Sequence, residues 1–173
     1  MRFFRGSKNK ESAGQRTNPD LFDWWAATFT SEERNLILTK FQPAKFGAVI
    51  PISRDDLVRD DSMSLNKVIN PDGSPAVKFS ALAGWFSSPQ HRHIARRILE
   101  KCEELSVGSV LDLHFTYSEM IPIYYRDRNT DPSAFEAAVA ACEKQIELGP
   151  QAAAAFRAEY PSADLPSHRG LFW

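Results

Sequence analysis

Cysteine is scarce in this chain, neither sign of charge dominates, and no long apolar run occurs. Two cysteines in 173 residues, Cys102 and Cys142, fall on the apolar stripes of predicted helices. They are expected to be reduced, buried and not bonded to each other, which suits a reducing compartment. The 21 basic residues nearly cancel the 22 acidic ones, which argues against a globally basic nucleic-acid binder. No stretch approaches the about 18 apolar residues that a membrane span needs, and Phe3-Phe4 is too short for the core of a secretory signal. No membrane and a cytoplasmic location are therefore expected. Also missing are G-x-S-x-G, a glycine-rich phosphate loop, H-E-x-x-H and C-x-x-C. No catalytic residue, cofactor or metal ligand is assigned.

Helix signals are abundant. Asn18-Pro19 opens a first helix carrying Leu21, Phe22, Trp24, Trp25 and Phe29, which is apolar nearly all round and reads as core. Thr30-Ser-Glu-Glu33 has capping-box spacing and starts a short helix to about Phe41, with Leu36 and Ile37 inward. Ser74-Pro75 caps a third helix reaching Phe86, with Val77, Phe79, Leu82, Trp85 and Phe86 as its apolar face. Ser88-Pro89 caps a fourth to about Leu105, lined by Ile94, Ile98, Cys102 and Leu105. Only two residues separate the third and fourth helices, which predicts an antiparallel hairpin.

The chain is organised around residues 111–150. Val110, Leu113, Tyr117, Met120, Ile121 and Tyr124 recur at spacings of three and four and share one helical face. Six polar residues at 126–131 interrupt the pattern, and Asp131-Pro132 restarts it as N-cap and first helical residue. Phe135, Val139, Cys142 and Ile146 then follow i, i+4, i+7, i+11, with Ala134, Ala137, Ala138 and Ala141 beside them, and Gly149-Pro150 reads as a stop. These spacings predict a hairpin whose larger apolar stripes meet, so Val139→Asp is expected to cost several kcal/mol.

Phe135, Ala138, Cys142 and Pro150 stand at the spacings of the second helix of a tetratricopeptide repeat, which this stretch resembles, and Tyr125 matches the tyrosine near the end of the repeat's first helix. Gln145 stands where the family usually has alanine, Pro122 falls near its glycine-like position, and the loop is several residues longer. The resemblance implies stacked helix pairs that bind a protein partner.

Outside this region, residues 1–17 carry Arg2, Arg5, Lys8, Lys10 and Arg16 against Glu11 and read as a disordered basic arm. Residues 42–73 lose helical period and read as an irregular excursion; Asp55 to Asp61 lacks the glycine and glutamate of a calcium loop. His91 and His93, two apart, point to opposite sides of a helix and have no third ligand partner. Arg92, Arg96, Arg97 and Lys101 gather on the outer part of the fourth helix and are the candidate anion contacts. A short alanine-rich helix from Gln151 to about Glu159 follows the stop, and the chain then reaches Leu171, Phe172 and Trp173.

The expected fold is therefore all-α, a single domain over 18–173 of stacked antiparallel helical hairpins like an α-solenoid, truncated at its C-terminal end. The expected function is a protein interaction or scaffold module using a groove between helix pairs. Tyr117, Tyr124, Tyr125, Leu171, Phe172 and Trp173 are its candidate partner contacts, and self-association through the C-terminal end is a further expectation. The alternative classes are nucleic-acid binding through the basic arm and fourth helix, and an enzyme without a recognisable motif.

Overall fold

Capping chemistry sets where most of the helices begin, in a computed structural model that describes residues 19–41 and 74–166. The expectations for the basic arm, the 42–73 excursion, Leu171, Phe172 and Trp173 lie outside the described residues. Six helices and no strand occur among the described residues: α1 (Pro19–Thr28), α2 (Ser31–Lys40), α3 (Pro75–Gly84), α4 (Arg92–Leu105), α5 (Val110–Tyr125) and α6 (Pro132–Glu159). The capping box of α2 is complete, with the Glu33 amide donating to Thr30 Oγ1 at 3.2 Å and the Thr30 amide donating to Glu33 Oε2 at 2.9 Å. Ser74, Ser109 and Asp131 accept from first-turn amides of α3, α5 and α6. Each such cap contributes about 1 kcal/mol.

Two boundaries differ from expectation. α4 starts at Arg92 rather than just after Ser88-Pro89, because Ser88 Oγ lies 3.0 Å from His91 Nδ1 and the His91 amide donates to the Ser88 carbonyl at 3.0 Å, closing a turn ahead of the helix. Gly149-Pro150 is no stop. α6 runs unbroken to Glu159 with Pro150 inside it, so the expected separate helix from Gln151 is its last part, and Gly108, not Gly149, is the positive-φ glycine of the described residues (φ 94°). An interior proline costs about 3 kcal/mol in an isolated helix. Packing on both sides of it offsets that here, since Gln145 and Ala152 are both buried and Leu148 packs on the core.

Buried hydrophobic residues from all six helices form one continuous cluster. Trp25, Phe79 and Phe86 are its largest fully buried side chains, each stabilising by roughly 2–3 kcal/mol. Helices α3 and α4 pair antiparallel: Cys102 Sγ of α4 reaches the Ala76 carbonyl of α3 at 3.5 Å, while the Phe86 and His91 rings meet at the connecting end. Helices α5 and α6 pair likewise, with Tyr125 beside Phe135 at the loop end and Gln145 Nε2 donating to the His114 carbonyl at 3.3 Å further along. Among these helices α5 and α6 share the most extensive interface, and α5 also packs on α4 and on α3. The α1–α2 corner is held by side chains: Trp24 stacks edge-on against Phe79, Phe41 against Trp85, and Arg97 donates to the Thr28 carbonyl at 2.6 Å.

Helix α6 shows the main correction. Its buried side chains are Ala134, Ala138, Ala141, Gln145 and Ala152, while Phe135, Val139 and Ile146 are exposed and Cys142 is half-buried. The expected stripe therefore borders the α5 contact and does not form it, touching α5 where Phe135 meets Tyr125 and the core through Cys142. A surface of alanines lets α5 and α6 approach closely along the most extensive helix interface of the described residues. Val77 and Trp85 are likewise exposed, and α3 packs instead through Ala76, Phe79, Leu82, Ala83 and Phe86.

Candidate interaction surface

Helix α6 carries apolar residues on two adjacent faces, and α5 takes the one made of small side chains. The other runs Phe135, Val139, Cys142, Ile146, which keeps the alternating spacing of four and three that a second helix reads as a seam. Phe135 is 46% exposed, Val139 41% and Ile146 44%. The strip covers about 16 Å at 1.5 Å per residue. Tyr125 extends it at the loop end, its ring centroid 6.4 Å from that of Phe135 and covered on another side by the Arg128 guanidinium. Singly exposed apolar side chains are ordinary on protein surfaces; these stand in one row along one helix.

Burial removes two of the candidate contacts. Tyr117 and Tyr124 lie in the core with their hydroxyls donating to Glu103 and Glu100, both at 2.9 Å, across the α4–α5 interface. Burial first, and then those carboxylates, push both phenols above their ordinary range. Tyr125 alone of the three tyrosines stays half-exposed.

The four candidate anion contacts are engaged within the protein. Arg92 is buried, not on the outer side of α4, and pairs with Asp127. Arg96 pairs with Asp127 and, at 2.7 Å, with Asp131, its guanidinium also lying over the Tyr124 ring. Arg97 pairs with Glu33, and Lys101 with Glu104 at 2.6 Å. These pairs tie the polar 126–131 loop and the α2 N-terminus to α4. Asp131 both caps α6 and meets Arg96; Ser133 first and then Arg96 hold its carboxyl down at about 2. Burial works to raise Glu33, but Arg97, the Thr30 amide and His93 outweigh it and keep it low.

The three histidines among the described residues are distributed rather than convergent. His91 Nδ1 sits 3.2 Å from Lys40 Nζ, and burial followed by that cation lowers its affinity for a proton. His93 meets Glu33 at 3.0 Å, and His114 is buried with its ring against Phe115. No group of three metal-ligating side chains occurs among the described residues, and no described helix is long and apolar enough to cross a membrane. A cleft of about 100 Å³ lies between the helix pairs, lined by Val77 and Ser80 of α3 and by Asp112 and Phe115 of α5. A second, of about 50 Å³, is lined by Leu111, His114, Gly149, Ala153, Leu165 and Pro166. Both fall below the roughly 300 Å³ from which small-molecule pockets begin. No family model matches the chain, and no curated protein or solved structure matches it.

The signal that could have assigned the α6 faces was already present. Ala134, Ala138, Ala141, Gln145 and Leu148 recur at the same spacing as the larger stripe, and only the volume of the facing α5 residues chooses between them.

Proposed function

We propose that this protein is an interaction module in which two stacked helical hairpins present the outer face of α6 to a helix of a partner protein. The observation that carries this reading is the orientation of α6: its alanines pack inward, and Phe135, Val139 and Ile146 are exposed in helix-pairing register with the half-buried Cys142 between them. The α5–α6 pair is read as a degenerate tetratricopeptide-like hairpin and α3–α4 as the pair before it. Contact of α5 with both α3 and α4 supports this stacking, because in such arrays each pair packs on its neighbour and leaves its far side for the next. The outer face of α6 is that far side. It, rather than the small cleft between α3 and α5, is the main docking surface, and the ion-paired arginines weigh against a nucleic-acid role.

A photo-crosslinking residue placed at Val139 or Ile146 in the intact chain in its source cell tests this. The expected result is one recurrent protein adduct at both positions, absent from a control at exposed Asn35 on α2 and abolished when the remaining stripe position carries aspartate. Identical adducts at all three positions, or none at Val139 and Ile146, would overturn the reading.

A further inference from the structure

The rim of the α6 stripe differs in charge from the rest of the surface. Glu136, Glu143 and Glu147 are all exposed, and helical spacing places them along the solvent side of the row from Phe135 to Ile146. The acids at the helix interfaces have partners: Glu33 meets Arg97, Glu103 meets Lys144 and Tyr117, Glu100 meets Tyr124, and Asp127 and Asp131 meet arginines. No cation pairs with the three rim glutamates among the described residues. Lys144, the basic residue among them in sequence, is turned the other way, its Nζ over the Tyr117 ring and 2.6 Å from Glu103 of α4.

Resting on the proposed docking role of α6, we infer that the helix it receives is amphipathic with lysine or arginine flanking its apolar stripe. The rim would then meet opposite charge where the two helices' polar edges run side by side, as flanking charges do in helix pairs. A second copy of this chain fits the apolar row but not the rim. Antiparallel pairing would set Phe135 against Ile146 and Val139 against Cys142, and would bring Glu136 alongside Glu143 of the second copy, a juxtaposition of like charges. Three carboxylates along one edge thus disfavour the homodimer and select a basic partner.

Two designed peptides of about 21 residues, identical in their leucine and isoleucine seam and differing only in lysine or glutamate at the flanking positions, test this against the full chain. The lysine peptide is expected to bind about tenfold more tightly at low salt, with the ratio shrinking towards one near 0.5 M salt as screening sets in. The triple variant Glu136→Gln, Glu143→Gln, Glu147→Gln should keep the binding and lose the preference. Equal binding of both peptides, or tighter binding of the glutamate peptide, would overturn the basic partner and leave the docking face standing. If neither peptide binds, or if Val139→Asp with Ile146→Asp binds as the parent does, the docking face itself falls and the inference with it. Sedimentation showing a dimer at neutral pH that the same double variant dissociates would make the second copy the occupant and also overturn the inference.

Discussion

The two apolar faces of α6 have the same period and the opposite fate. One consists of Ala134, Ala138, Ala141, Gln145 and Ala152 and is buried; the other consists of Phe135, Val139, Cys142 and Ile146 and is left largely to solvent. By transfer free energy alone the second should be inside, since it carries far more apolar area. Packing decides otherwise. Of the described helix pairs α5 and α6 approach over the greatest length, and small side chains on α6 allow that close approach. Gln145 is tolerated in the seam because its amide donates to the His114 carbonyl, which satisfies a polar group that would otherwise destabilise the core. Burying the alanines leaves Phe135, Val139 and Ile146 exposed.

The comparison can be broken most severely from the small side. Ala141→Phe should lower stability by about 3 kcal/mol, read as a shifted urea midpoint with an unchanged slope, because the seam has no room for a ring. Next is the anchorage that holds α6 in this rotation. Arg96→Ala removes a partly buried partner of both Asp127 and Asp131 and is expected to cost about 2 kcal/mol by the same measurement.

Acid should loosen the same anchorage. The Asp131 carboxyl is held at about 2, below its ordinary value near 3.8, so its stabilising contribution is complete above that ordinary value and is lost as pH falls through the window between the two. Glu33, also held low, acts in the same direction. A plot of melting temperature against pH should therefore fall more steeply below pH 4 in the parent than in Asp131→Asn, which keeps the cap and lacks the titration. The exposed row should give the smallest effect. Val139→Asp is expected to change stability by less than about 1 kcal/mol while removing peptide binding, the reverse of what a seam position would show. Cys142, half-buried, should react with a maleimide in the native protein, whereas Cys102 should react only on unfolding, because burial encloses its thiol and raises its pKa.

Much of this architecture is written in local chemistry. Thr30 with Glu33, Ser74-Pro75 and Asp131-Pro132 announce three helix starts, and the period from Val110 to Tyr124 announces α5, because caps and amphipathic spacing act over a few residues. Local rules failed at two boundaries, one through tertiary packing and one through a competing contact three residues along. Pro150 stays helical because residues on both sides of it are buried, Gln145 before it and Ala152 after it, and Ser88 does not cap α4 because its hydroxyl meets His91. The candidate surface was legible only as a set of residues. Phe135, Val139, Cys142 and Ile146 stand out in the sequence, but whether they form core or surface depends on the volume facing them from α5. The same holds for Arg92, Arg96 and Arg97, whose spacing suggests an open basic edge until the fold brings Asp127, Asp131 and Glu33 to them. Caps and periodicity make these residues helical and put two apolar faces on the longest helix. Which of those faces goes inside is set by the fold, because close packing compares volumes across helices that a single strip of sequence does not contain.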